Sequence, residues 1–96
     1  MEQTANQPLF PLGQVVTTPA ALAALEKAGQ GAPEFLRRHA SGDWGDLYAE
    51  DRRENQSGLA CGFQIFSNYR TDAGDELWVI TDNHFSTTTI LLPEEY

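Results

Sequence analysis

The stretch GFQIFSNYRTDAGDELWVITDNHFSTTTILL, residues 62–92, decides the fold because its side chains alternate in character with a period of two. In the first part of the stretch, one face carries Phe63, Ile65, Ser67 and Tyr69. The other face carries Gln64, Phe66, Asn68 and Arg70. Turn residues at 71–75 and 83–85 divide the stretch into three segments. The pattern predicts a three-stranded antiparallel meander and leaves open which face of the sheet is buried.

Helical signals precede this stretch. Prolines at first helical positions predict helices over residues 19–28 and 33–40, because an N–H at that position would have no intrahelical partner. The acidic pair Glu50 and Asp51, near the positive end of a helix dipole, predicts a third helix over residues 49–60.

Together these segments predict the fold class α+β, with two or three N-terminal helices packed on a C-terminal three-stranded antiparallel β-meander in two layers. A chain of 96 residues has material for one hydrophobic core. We therefore expect a flexible tail over residues 1–8 and a single domain over residues 9–96, with residues 13–17 as a candidate for one more short strand.

Composition points to a cytoplasmic globular protein, since 41% of the residues are apolar and no apolar run approaches the length of a membrane span. The first eight residues lack the basic start and apolar core of a signal peptide. Cys61 is the single cysteine, and its apolar neighbours Leu59 and Ala60 predict a buried structural thiol.

The acidic charge bears on the class of partner. Fourteen acidic and six basic residues give a formal net charge of −8. Such a chain repels the phosphate backbone of a nucleic acid. Direct nucleic-acid binding is therefore disfavoured, whereas a basic partner surface is compatible with the charge, and so is a plain contribution to solubility.

No sequence motif for catalysis, cofactor binding or paired-cysteine metal binding is present, so no cofactor and no metal is predicted. The densest polar cluster spans a predicted helix end and an Asp-rich turn: Arg37, Arg38, His39, Asp43, Trp44 and Asp46. His39 beside Asp43 is a candidate acid or base, because a carboxylate raises the basicity of an imidazole. The structural alternative is a histidine at the end of a helix dipole and an aspartate that caps backbone amides.

Binding residues are predicted at the same turn and on the sheet. Arg38, His39, Asp43, Trp44 and Asp46 form the first group, and Trp78 on the predicted sheet is the second. Both tryptophans have an alternative role as core residues. A metal site of His39, Asp43, Asp46 and His84 would lack any characteristic spacing and is not predicted.

Four motifs resemble a family of small bacterial proteins called plasmid-related proteins, some of which carry labels taken from type I restriction-modification subunits. They are RRHASGDWGDL (37–47), EDRREN (50–55), LWVITD (77–82) and TTILLPEEY (88–96). The resemblance covers about residues 9–96 and implies an association with a plasmid or other mobile element. Where members of that family typically have an acidic residue and an arginine after the second strand, this chain has Asn83, His84 and Phe85.

The leading functional hypothesis is a non-enzymatic accessory or interaction protein of a mobile element with a protein partner. One version is an acidic inhibitor that mimics DNA, with Asp43, Asp46, Glu50, Asp51 and Glu54 arrayed on one surface. The alternative is a small ribonuclease-like enzyme in which His39 supplies acid-base chemistry and Arg70 binds phosphate.

Overall fold

The computed structural model describes residues 8–96 as three helices and one four-stranded sheet. The helices are α1 (Pro19–Ala28), α2 (Ala32–Ala40) and α3 (Ala49–Cys61), and the strands are β1 (Gln14–Thr17), β2 (Ile65–Arg70), β3 (Glu76–Thr81) and β4 (Thr87–Leu91). The strand order is β1-β4-β3-β2. Strand β1 pairs with β4 in parallel, whereas β4 with β3 and β3 with β2 pair antiparallel.

The predicted α+β class is confirmed, but the prediction of a three-stranded antiparallel sheet is wrong. The sheet is mixed and has four strands, because Gln14–Thr17 joins the edge of β4. Alternation in residues 62–92 shows only strands that are joined by short local turns. A parallel partner needs a long crossover connection, and here α1, α2, α3, β2 and β3 all lie between the two paired strands.

The helix boundaries follow from local chemistry at each end. The Thr18 side chain accepts a hydrogen bond from the Ala21 N–H at 3.1 Å and so caps α1. Gly29 ends the same helix in the left-handed conformation, with φ of 68°. Helix α2 begins one residue before Pro33, which lies in its first turn.

Helices α1 and α2 cover one face of the sheet, and the main core lies between these layers. Its buried residues are Ala21, Leu25, Phe35, Tyr69, Leu77, Val79 and Ile90. A second buried cluster, formed by Phe10, Trp44 and Ile65, closes the end of the domain where the N-terminal segment packs. The face that carries Ile65 and Tyr69 is therefore the buried one, and Phe66, Trp78 and Ile80 lie on the opposite face, here called the open face.

Helix α3 lies along the outer edge of β2. The side chain of Asn55, almost fully buried, accepts a hydrogen bond from the Phe66 N–H at 3.0 Å and donates one to the Phe66 carbonyl at 2.7 Å. Further along the same edge, Gly45 forms a parallel bridge with Asn68. These contacts occupy backbone groups of an edge strand that would otherwise be free to pair with another chain.

The predicted flexible tail, residues 1–8, lies outside the described residues except for Pro8. From Pro8 onward the segment follows the helical layer, and the Leu9 N–H donates to the Ala40 carbonyl at 2.7 Å. Within residues 8–96, no helix combines the length and the apolar character needed to cross a membrane.

Candidate functional site

The structure places His39 in the interior between α2 and the sheet, with no exposed surface. Its Nδ1 lies 2.6 Å from the Ser67 hydroxyl, and its Nε2 lies 2.9 Å from the Thr81 hydroxyl. The Thr81 hydroxyl is in turn 2.6 Å from that of Thr88, which donates to the Leu12 carbonyl at 2.6 Å. His39 is thus the centre of a buried hydrogen-bonded chain that joins α2, three strands and the N-terminal segment.

The order of donors in this chain determines the tautomer of His39. The Leu12 carbonyl can only accept, so the proton of Thr88 points toward it, and the Thr81 proton points toward Thr88. The oxygen of Thr81 must then accept from His39, which puts the imidazole proton on Nε2 and makes Nδ1 the acceptor for Ser67. All these groups are satisfied while the ring is neutral, and burial lowers the pKa of His39 to about 4.

Asp43 does not contact His39 and pairs with Arg38 instead. The Arg38 Nε and Nη2 donate to the two carboxylate oxygens of Asp43 at 2.7 and 3.3 Å. This hydrogen-bonded pairing holds the pKa of Asp43 below its usual range. The Arg38 guanidinium also lies 4.5 Å from the ring centroid of Tyr69, whose hydroxyl donates to the Asp43 carbonyl at 2.6 Å. The contacts tie the turn to α2 and β2.

The rest of the predicted turn site packs inward or against β2. Trp44 is 5% exposed, within the second core cluster. The Asp46 N–H donates to the Asn68 carbonyl at 2.8 Å. Gly45 has φ of 75°, and a Cβ at this position would lie 2.1 Å from the Asn68 oxygen, so glycine is required for this close approach. Residues 42–47 therefore form a turn that packs against the β2 edge of the sheet.

Arg70 lies on the face of the sheet opposite to His39, its partner in the ribonuclease-like alternative. Its side chain is exposed and donates to the Gly74 carbonyl at 3.0 Å within the β2–β3 turn. It alternates with Ser67 and Tyr69 along β2, so it belongs to the open face, whereas His39 contacts the buried face. The structure does not bring His39 and Arg70 together.

A groove with a volume of about 930 Å³ lies on the open face and is here called the aromatic groove. Its floor is formed by β2 and β3 through Phe66, Trp78 and Ile80, and α3 forms one wall. Phe63 and the C-terminal Tyr96 complete its apolar lining, and both are largely exposed. Of the predicted binding residues, Trp78 alone lies in this groove.

Three aromatic rings in the groove pack against one another edge to face. The ring centroids of Phe66 and Trp78 are 5.0 Å apart with an interplanar angle of 87°, and those of Trp78 and Tyr96 are 5.5 Å apart at 68°. Within residues 8–96, the buried indole nitrogens of Trp44 and Trp78 have no hydrogen-bond partner. The ring of Trp78 is thus fixed between two neighbours at the centre of the groove.

The wall formed by α3 is acidic. Glu50, Asp51 and Glu54 line the groove together with one cation, Arg53. These three are also among the five carboxylates predicted to share a surface, whereas Asp43, from the same set, is neutralised by Arg38. The groove therefore combines an aromatic floor with a wall of net negative charge.

No family model, no curated protein and no solved structure matches the chain. The resemblance to plasmid-related proteins stays a prediction from the four quoted motifs.

Two further sequence predictions concern a thiol and a metal. The prediction that Cys61 is buried is wrong, because the residue is exposed. It is the last residue of α3, which packs along the edge of the sheet and not over its buried face. Within residues 8–96 no group of three or more His, Cys, Asp or Glu side chains is arranged to hold a metal ion.

Sequence reasoning missed most of the aromatic groove. Phe66 and Ile80 share a face with Trp78 by simple alternation, and this signal was available. Tyr96 follows a short 3₁₀ turn, Pro93–Glu95, and no periodicity indicates that this turn returns the last residue to Trp78.

Proposed function

We propose that the protein is a non-enzymatic interaction protein whose aromatic groove binds a basic segment of a partner protein. The observation that carries the proposal is the aromatic floor around Trp78 beside the acidic wall of α3. A Lys or Arg side chain gains from both features, through the π-face of an aromatic ring and through Coulomb attraction to carboxylates.

The exposure of the groove suits a side-chain-bearing segment of a partner protein rather than an enclosed small metabolite. Phe63 and Tyr96 are 56% and 76% exposed, so apolar surface remains for a partner to cover. Aromatic residues of this kind are the usual energetic centres of protein interfaces.

The other functional hypotheses gain less support from the geometry. The DNA-mimic version expects five carboxylates on one surface, but only Glu50, Asp51 and Glu54 of that set line the groove, and Asp43 is paired with Arg38. The ribonuclease-like alternative would need His39 at the surface near Arg70, but His39 is buried on the other side of the sheet. A partner encoded by a mobile element and a cytoplasmic location both stay predictions.

Site-specific photo-crosslinking in a lysate of the native host, adjusted to low or high salt, tests the proposal. A photoreactive phenylalanine at Phe63, inside the groove, is compared with the same group at Leu22, an exposed position on α1. We expect Phe63 to capture a basic protein at low salt, and expect capture to fall at high salt and in Trp78→Ala. Equal capture from both positions, or capture of nucleic acid alone, would contradict the proposal.

A matched pair of charge variants tests the contribution of the acidic wall. Glu54→Gln removes one carboxylate from the groove, and Glu26→Gln removes one from α1, outside it. We expect the captured partner to bind Glu54→Gln several-fold more weakly, because roughly 0.5–1 kcal/mol is typical for one screened charge pair. The Glu26→Gln variant is expected to bind like the wild type.

A further inference from the structure

Strand β1 is an edge strand whose outer side has no backbone partner among residues 8–96. The N–H groups of Gln14 and Thr18 point inward and donate to the carbonyls of Ser86 and Ile90, each at 3.0 Å. Successive backbone groups of a strand point in opposite directions. The N–H and C=O groups of Val15 and Thr17 therefore point outward, away from β4.

The two edges of the sheet differ in how they are protected. The β2 edge is occupied by the Asn55 side chain and by the bridge to Gly45. Strand β1 has the sequence QVVT, with no charge and no proline to prevent pairing, and Val15 and Val16 are 41% and 42% exposed. An edge of this composition is open to another strand.

We propose that two copies of the chain pair through β1, antiparallel, about a two-fold axis that passes beside Val16. In this register Val15 of each copy faces Thr17 of the other, and each pair exchanges both backbone hydrogen bonds. All outward backbone groups of Val15 and Thr17 are then satisfied. Val16 faces Val16 of the second copy at the closely spaced, non-hydrogen-bonded position.

A second copy fits this edge because the edge is complementary to itself. The bonding groups of Val15 and Thr17 lie symmetrically on either side of Val16, so one rotation brings donors opposite acceptors on both strands. The net charge of −8 repels two copies at a distance. The strand itself is uncharged, so no like charges face each other along the paired strands.

The pairing joins the two sheets into one continuous sheet with both open faces on the same side, because the two-fold axis is perpendicular to the sheet. Two aromatic grooves would then face the same way. This consequence rests on the proposed function and would let the dimer bind a partner with two basic segments by avidity. The dimer itself does not depend on the groove.

The mass of the purified full chain in solution tests the dimer. Sedimentation velocity over a range of concentrations is expected to show twice the monomer mass of 10.6 kDa. Higher salt should strengthen the dimer by screening the repulsion between copies, whereas it should weaken binding to the groove. A monomer at every concentration and salt would overturn the proposal without bearing on the groove.

Two variants and a control assign the dimer to β1. Val15→Pro removes an outward N–H and leaves the bonds to β4 in place, and Val16→Lys places two ammonium groups opposite each other. Both are expected to weaken dimerisation, roughly tenfold or more, while Val16→Thr keeps the branched shape and the dimer. Circular dichroism confirms folding, and a folded Val16→Lys that still dimerises like the wild type would overturn the assignment.

Disulfide trapping tests the register. In a Cys61→Ser background, Val16→Cys places two thiols opposite each other across the axis, whereas Val15→Cys places each thiol opposite Thr17. We expect oxidation to link the Val16→Cys variant rapidly and the Val15→Cys variant slowly. Equal rates for the two variants would contradict the proposed register.

Discussion

We expect the free energy of unfolding to fall as the pH is lowered from about 7 to about 4.5, because the folded protein holds His39 in its uncharged form. The pKa of this residue falls from 6.5 to about 4 because the ring is buried. An unfolded chain therefore binds the proton more readily than the folded protein does. The contribution is complete above pH 6.5, declines as the pH falls toward 4, and amounts to about 3 kcal/mol at ~1.4 kcal/mol per pH unit.

The matched variant is His39→Gln, whose amide can donate to Thr81 but carries no charge at any pH. It leaves the Ser67 hydroxyl without its acceptor, so we expect it to be less stable than the wild type by about 1–3 kcal/mol near neutral pH. Urea unfolding of both proteins across this pH range separates His39 from the carboxylates, which both share. The stability of the wild type relative to His39→Gln should fall by about 3 kcal/mol toward pH 4, so that His39→Gln becomes as stable as the wild type or more stable. A difference that does not change with pH would refute the buried neutral histidine.

Two further substitutions test the protected edge of β2. Gly45→Ala should lower the free energy of unfolding by about 2 kcal/mol or more, because the added Cβ would lie 2.1 Å from a backbone oxygen. Gly29→Ala is the control: Gly29 also has a positive φ, but a Cβ there would have no atom within 4 Å, so the loss should be about 1 kcal/mol. Thermal unfolding would show the difference, and equal losses would count against the close approach. Asn55→Ala leaves the Phe66 backbone without its two hydrogen bonds and should cost roughly 1–3 kcal/mol. Gln56→Ala, an exposed neighbour, should unfold in urea like the wild type, and an equally stable Asn55→Ala would argue against a stabilising role for the two Asn55–Phe66 hydrogen bonds.

The local elements of the fold could be predicted from the sequence, and the non-local pairing could not. Period-two alternation and the two turns predict β2, β3 and β4, and proline at helix starts predicts α1 and α2 within one residue. The candidate strand over residues 13–17 is present as β1, but its four residues are too few to show a period, and its partner β4 lies at the far end of the chain. Because register depends on that distant partner, only the structure reveals the mixed sheet.

The sequence indicated single residues of the candidate sites but not their contacts in the folded protein. His39 and Asp43 are close in the sequence, but α2 turns the imidazole into the core and Asp43 pairs with Arg38 across the helix end. Sequence spacing does not show which side of α2 is covered by the sheet. Trp78 was predicted as a binding residue, but the groove around it depends on α3 and Tyr96, which meet only in the folded chain.

The aromatic groove is the proposed binding site, and an NMR titration of the ¹⁵N-labelled protein tests binding there most directly. The ligand is a short peptide of alternating Arg and apolar residues, with a peptide of Glu in place of Arg as the control. The Arg peptide is expected to shift the indole signal of Trp78 and the amides of Phe66, Ile80 and Tyr96, at low salt and less at high salt. Absence of shifts at these residues, or equal shifts with the Glu peptide, would contradict the binding of a basic segment in the aromatic groove.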